Sequence, residues 1–153
     1  MKQFTLKESK VICPYCNKPA RLADTKEIYK TRSYGKAYIC VDYPGCDSYV
    51  GVHNGTDKPK GRMANAELRA AKIKAHAAFD PIWRERFRIK SAQDKSYTKG
   101  MARNGKYKKL SQILGIPRDE CHIGMFDIDT CNRVIAICNS GVLNDKDLRP
   151  CND

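Results

Sequence analysis

Cys13-Pro14-Tyr15-Cys16-Asn17-Lys18-Pro19 and, with 23 residues between Cys16 and Cys40, Cys40-Val41-Asp42-Tyr43-Pro44-Gly45-Cys46 are the stretches that decide the fold. Each pair of cysteines sits on a turn with proline. Two such pairs, brought together from separate hairpin ends, supply four sulfurs to one tetrahedral zinc ion. The tight turn after Cys13 lets neighbouring backbone N–H groups point at the sulfurs, and Pro44-Gly45 punctuates the longer second turn. The competing readings are two unrelated disulfides or buried free thiols. Paired spacing of this kind favours metal, where a lone C-x-x-C would not. The expected cofactor is one structural Zn²⁺ on Cys13, Cys16, Cys40 and Cys46.

Between and after the pairs run short segments rich in strand formers: Arg21-Leu22-Ala23-Asp24, Glu27-Ile28-Tyr29, Ser33 to Ile39, and Ser48 to His53, with turn residues at Thr31 to Gly35. They predict a three-stranded zinc ribbon over residues 11–53. A unit of that size buries too little apolar surface to fold unaided, so the metal supplies much of its folding free energy. His53 is a conceivable fourth ligand, but with four sulfurs at hand it reads as a strand-end histidine.

The full chain has 153 residues, 29 Lys+Arg against 17 Asp+Glu, and a formal net charge of +12. The positive charge is concentrated. Residues 54–110 carry sixteen basic against five acidic side chains, whereas residues 111–153 carry four against seven. A basic block of this kind faces a polyanion, with nucleic acid as the first candidate. No run approaches 18 apolar residues, which excludes a membrane-spanning helix. Met1 to Glu8 lack the apolar core of a signal peptide. The expectation is therefore a cytoplasmic protein, in whose reducing surroundings thiols favour metal over disulfides.

The basic middle, 54–90, opens on a linker, Asn54 to Gly61. A helix follows from about Met63 to Phe79, with Ala64, Leu68, Ala71, Ala75 and Phe79 on one stripe. Asp80 reads as the N-cap and Pro81 as the first turn of a second, short helix. In it Trp83 and Phe87 share a face, and both read as core rather than as a base-stacking surface. His76 reads as a packing or surface histidine. Residues 91–106 show no periodicity and predict a flexible basic connector. Within it, Gly100-x4-Gly105-Lys106 resembles a phosphate-cradling loop. Tyr107 stands where a Ser or Thr hydroxyl is needed, and no apolar strand precedes it, so an NTP site is not expected.

Residues 107–141 predict a helical pair, followed by a tail, 142–153. Tyr107, Leu110, Ile113 and Leu114 form a stripe that ends at Gly115. Asp127 or Asp129 caps a second helix carrying Cys131, Val134, Ile135 and Cys138 on one face, and Gly141 stops it. A connection of about eleven residues, and Arg133 as the second helix's sole cation, argue against a DNA-reading helix-turn-helix. Cys121, Cys131, Cys138 and Cys151 raise the question of a second metal. Cys131 and Cys138 are about 10 Å apart along a helix, too far to share one ion directly. A mixed site of Cys121, His122 and Cys131 is open geometrically, but core packing is the stronger reading. His122 with Asp127 and Asp129 could form an acid–base cluster, yet the aspartates are needed as caps, and no enzyme activity is expected.

The whole pattern is α+β: a zinc ribbon, basic helices and a helical pair. The turn Cys40-Val41-Asp42-Tyr43-Pro44-Gly45-Cys46 resembles the C-terminal zinc ribbons of bacterial type IA topoisomerases, which bind single-stranded DNA. The chain as a whole resembles a family of small bacteriophage and prophage proteins with an N-terminal zinc-finger-containing domain. That resemblance rests on Cys13-Pro14-Tyr15-Cys16, Gly55 to Pro59, His76 to Trp83, and Leu114 to Asp127. It implies a zinc site and a bacterial host cytoplasm, and no reaction.

Two expectations follow for partners. In the first, the chain is an accessory protein for single-stranded nucleic acid, single-stranded DNA above all. Tyr34, Tyr38, Tyr43 and Tyr49 stack on bases, with about half of these tyrosines expected in the ribbon core, while Arg32, Lys36, Arg69, Lys72, Arg84 and Arg88 follow the phosphates. In the second, the separate acidic end marks a module that binds and redirects a host enzyme.

Overall fold

The computed structural model describes residues 11–145, which form two compact units divided between Ala70 and Ala71. In the first, β1 (Ala20–Asp24), β2 (Lys36–Cys40) and β3 (Tyr49–Gly51) make one antiparallel sheet in the order β1-β2-β3. Register pairs Ala20 with Cys40 and Asp24 with Lys36 across β1 and β2, and Tyr38 with Val50 across β2 and β3. The three-stranded ribbon is therefore present, and the fold is mixed α+β. Its core cluster is small: Cys13, Ala20, Tyr38, Cys40, Val50, Val52 and Met63, with Val11, Cys16, Leu22 and Cys46 packed at its margin.

Two local features depart from the sequence reading. Lys26–Tyr29 form one helical turn, α1, instead of strand. Asp24 accepts a hydrogen bond from the Lys26 N–H at its start, the local side-chain bond that draws a chain out of extended structure. The expected linker at Asn54 to Gly61 is also folded. It turns back on β3, with Val52 bridged to Pro59, the His53 N–H donating to the Lys58 carbonyl, and the Lys60 N–H donating to the Gly51 carbonyl. Gly55 takes the positive φ of 75° that this turn requires. Ala64 continues the pairing opposite Tyr49, so the following helix starts at Ala66 rather than Met63.

That helix, α2, runs unbroken over Ala66–Gln93 and contains Pro81. The break expected at Asp80 is absent. Pro81 has no N–H to give to the carbonyl four residues back, a loss of about 3 kcal/mol in a helix interior. Continuity is retained where apolar burial outweighs that loss, and Phe79 and Trp83, on either side of the proline, are both buried. Asp80 serves the side chain of Trp83 instead of a helix end, accepting from its Nε1–H at 2.9 Å.

The expected connector at 91–106 is mostly helix as well. α3 spans Lys99–Leu114. Thr98 caps it by accepting from the Met101 N–H, and Gly115 ends it at φ 73°. Sequence periodicity missed its first half because Ala102 and Lys106 are the buried positions there, and a lysine does not read as core. Two 3₁₀ turns, Arg118–Glu120 and Ile123–Met125, lead to α4 (Ile128–Asn139). Asp127 is its N-cap, accepting from the Thr130 N–H, and Cys131, Val134 and Cys138 are its buried face. Among the described residues, no helix is long and apolar enough to cross a membrane.

Candidate metal centre

The first cysteine turn is shaped by backbone bonds before any metal is considered. The Cys13 N–H donates to the Lys18 carbonyl, the Asn17 N–H donates to the Cys13 carbonyl, and Asn17 takes a left-handed φ of 57°. An Ile12–Pro19 bridge closes the loop behind it. The second turn begins where β2 ends. The Cys40 N–H donates to the Ser48 carbonyl, the Tyr43 N–H to the Cys40 carbonyl, and the Asp42 N–H lies 3.4 Å from the Cys40 sulfur. An exposed ion pair, Lys18 to Asp42 at 2.9 Å, joins the two turns.

The four sulfurs of Cys13, Cys16, Cys40 and Cys46 all lie within 4.8 Å of one another, and those of Cys13 and Cys46 are 3.7 Å apart. Zinc–sulfur bonds of about 2.3 Å in a tetrahedron require sulfur–sulfur edges of about 3.8 Å. No disulfide joins them. Cys13 and Cys40 are completely buried, and Cys16 and Cys46 half-buried. Thiols so crowded hinder one another's ionisation: hydrogen bonding to Cys46 and burial push Cys16 up, and burial pushes Cys40 up. Cys13 goes the other way. Its burial is outweighed by the neighbouring N–H groups of Tyr15 and Cys16, helped by the Cys46 side chain, which favour the thiolate. A divalent cation resolves the crowding by taking all four as thiolates, and four protein sulfurs leave no open position for catalysis. The cluster is a structural zinc site.

A family model described as a zinc-finger-containing domain matches residues 9–141. The chain belongs to that family. No curated protein and no solved structure matches it significantly. The zinc-finger description agrees with the cysteine cluster, so the cofactor rests on both geometry and family.

Around this zinc-finger unit the tyrosines take unequal roles. Tyr38 does not face solvent: it is 7% exposed, and its hydroxyl donates to the Asp57 carbonyl at 2.7 Å. Its alternation with the other aromatics along the ribbon suggested a stacking surface, but the small sheet uses it as core. Tyr34 is 61% exposed, with the Arg32 guanidinium 4.9 Å from its ring centre and Tyr29 edge-on at 5.2 Å. Tyr49 stands 6.4 Å from Tyr43, so the ribbon's other tyrosines form two edge-on pairs, Tyr34 with Tyr29 and Tyr49 with Tyr43. Burial, together with Tyr29, pushes the Tyr49 hydroxyl up to about 12. Lys36 is exposed at the start of β2.

Thr25 sets the geometry of this tip, and sequence reasoning passed over it. Its N–H and hydroxyl both donate to the Gly35 carbonyl, and its oxygen accepts from the Tyr34 N–H. Gly35 holds φ 105°, open to glycine alone without strain. Tyr29 was also missed as a surface candidate because it was read as strand.

Arg69, expected at phosphates, is committed elsewhere. Its guanidinium donates to the carbonyls of Asp47 and Ala64, pairs with the Asp47 carboxylate at 3.3 Å, and lies 4.1 Å from the Tyr49 ring centre. It buttresses Tyr49. The other three predicted cations belong to the helical unit. Lys72 is half-buried and engaged within the fold. Arg88 is exposed but held by both oxygens of Glu85. Arg84 is exposed and only loosely paired, 3.9 Å from Asp80.

The remaining candidates resolve as packing. Cys121, Cys131 and Cys138 are buried free thiols, and burial pushes each up, Cys138 to about 11. They gather no metal-sized cluster with His122: among the described residues the four ribbon cysteines are the one such group. Cys151 lies outside the described residues. Gly100, Gly105 and Lys106 fall inside α3 rather than on a phosphate loop. The Lys106 ammonium is buried, donating to the Leu143 carbonyl and to Asp145, which also takes Arg86 at 3.0 Å.

Proposed function

We propose that this chain is a zinc-ribbon accessory protein of phage or prophage origin that binds single-stranded nucleic acid, single-stranded DNA first, without catalysing a reaction. The observation that carries the reading is the exposed pair of Tyr34 and Tyr29 with the Arg32 guanidinium over the Tyr34 ring. Bases of any identity stack on exposed aromatic rings, and single-strand binders combine such rings with cations that track the backbone. Here Tyr34 and Tyr29 are exposed on a tip pinned by Thr25, with Arg32 at one ring face and Lys36 beside them. The net charge of +12 favours a polyanionic partner. The phage setting and a host cytoplasm are supported by the sequence stretches that resemble the small phage and prophage proteins.

The test is fluorescence anisotropy of a labelled single-stranded oligonucleotide over a salt series. Affinity is expected to fall steeply as salt rises, because cations on phosphates release counterions. Tyr34→Ala is expected to weaken binding by about 1–3 kcal/mol, the range for one stacked base. Tyr38→Phe, which alters a buried ring, is expected to leave affinity unchanged. Absence of binding at low salt, or indifference to salt, sinks the reading. Capture of a host protein that survives nuclease treatment would favour the enzyme-redirecting alternative instead.

A further inference from the structure

The helical unit carries an arginine cluster that neither the zinc site nor the ribbon's tyrosine pairs use. Trp83 is 6% exposed and lies beneath two guanidinium groups, Arg103 from α3 at 4.8 Å and Arg84 from α2 at 5.3 Å from its ring centre. One helical turn beyond Arg103, the buried Tyr107 ring holds a third, that of Arg118, at 5.1 Å. Arg118 is further fixed by donating to the Asn104 side chain and the Cys121 carbonyl. Among the described residues, no carboxylate pairs with Arg103 or Arg118. Asp80 accepts from the Trp83 Nε1–H and lies 3.9 Å from Arg84, beyond hydrogen-bond distance.

We infer that Arg84, Arg103 and Arg118 form a phosphate-binding surface on the helical unit that takes the backbone of a nucleic-acid strand. A guanidinium laid on an aromatic ring is oriented without surrendering its N–H donors, since the ring engages its π face. On Arg84 and Arg103 those donors remain free for the forked, charge-assisted bonds that match a phosphate's oxygens, and Arg118, with Nε and one Nη1 hydrogen committed to Asn104 and Cys121, keeps its Nη2 group for the same use. Arginines neutralised by carboxylates, such as Arg88 on Glu85, are closed to this use. Three guanidinium heads from three segments gather here on two rings, with Asp80, among the described residues, as the single carboxylate paired to any of them and that one only at 3.9 Å. The inference extends the single-strand reading to a second surface but does not depend on the ribbon's tyrosines.

The test uses the zinc-loaded full chain and two probes: a labelled oligo-dT across a salt series, and inorganic tripolyphosphate followed by tryptophan emission. Trp83 is the only tryptophan, so its emission reports on the guanidiniums above it. The variant R84Q/R103Q/R118Q is compared with K95Q/K108Q/K109Q, which removes equal charge from exposed positions of the same unit. The arginine variant is expected to bind oligo-dT at least about tenfold more weakly and to flatten the log–log salt slope by about two, at roughly 0.7 for each phosphate no longer neutralised. It is also expected to lose the emission response to tripolyphosphate, which the lysine variant retains. Because Arg118 also ties backbone, Arg103→Gln alone serves where the triple variant lowers helical content, with a loss of about threefold or more and the same weakened emission response.

An arginine variant no different from the lysine variant overturns the inference, as does an equal emission response to poly-glutamate, which would assign the surface to an acidic protein. Tripolyphosphate binding lost in the arginine variant, with no oligonucleotide binding by any form, would sink the single-strand reading and reduce this surface to a site for free polyphosphate. Oligonucleotide binding that depends on Tyr34 but not on the arginines would leave the ribbon reading intact and overturn this one.

Discussion

Up to Ala70 the chain encloses a cluster of seven buried side chains, two of them the zinc-site cysteines Cys13 and Cys40. From Ala71 onward it buries Phe79, Trp83, Tyr107, Leu110, Ile123, Phe126, Val134 and Leu143, large apolar groups on the helices and the segments that join and follow them. The first unit closes around sulfur and backbone turns; the second closes around hydrocarbon. A small ribbon lacks the apolar area to offset its conformational entropy, so a metal must supply the difference, whereas a helical unit of the second size has side chains enough. Cysteine shows the contrast within one residue type. In the ribbon, the N–H donors at Cys13 favour a thiolate, while in the helical unit burial is the largest influence on Cys121, Cys131 and Cys138, outweighs the nearby cations Arg118 and Lys72, and keeps them as small apolar groups.

The comparison breaks most severely if the metal is not what holds the ribbon. Cys40→Ser is expected to lose the zinc and unfold the β1-β2-β3 sheet, since binding free energies for structural zinc are about 10–16 kcal/mol and are folding free energy in such units. Metal analysis and NMR check this, with the helical circular-dichroism signal expected to persist. A sheet that survives in Cys40→Ser would contradict the contrast. Next comes the converse. Phe79→Ala empties a completely buried position and is expected to destabilise the helical unit by about 3–5 kcal/mol in denaturant unfolding, with zinc content unchanged.

A smaller effect sharpens the cysteine comparison. Cys138→Ala removes a small buried side chain and is expected to cost about 1–2 kcal/mol while leaving one zinc bound. Loss of metal on that change would revive a second site. The smallest effect concerns Asp94, between α2 and α3. The Ser96 hydroxyl and N–H hold its carboxyl below the ordinary aspartate value of 3.8. A depressed folded-state value means that its contribution is present above 3.8 and is lost as pH falls through the depressed value. Ser96→Ala is expected to return the Asp94 titration toward 3.8, read directly by carboxyl NMR, with little change in unfolding at neutral pH.

Much of the ribbon was legible in the chain because its determinants are local. Cysteine spacing, Pro44-Gly45, and strand formers on either side of a turn act over a few residues, and each leaves a mark in sequence. Gly115 and Asp127 were legible as helix stop and start for the same reason. The tyrosines were not. Tyr34 and Tyr38 lie four residues apart, yet one is exposed and the other bonded to Asp57, because Tyr34 falls on the turn before β2, which Thr25 holds, while the returning turn at 54–60 covers Tyr38 within the strand.

Sequence by itself determined the zinc ligands, the α+β order of ribbon then helices, and the caps at Gly115 and Asp127, all through rules of spacing and backbone chemistry. Only tertiary structure decided the continuity of α2 through Pro81, the helical state of residues 99–106, and which arginines remain available. Each of those depends on partners distant in sequence. Phe79 packs on Tyr107 at 4.4 Å, Lys106 finds Asp145, and Arg69 is claimed by Asp47 while Arg103 is left with the face of Trp83. Burial can outweigh a local preference worth a few kcal/mol, and it exists only once the chain has closed on itself.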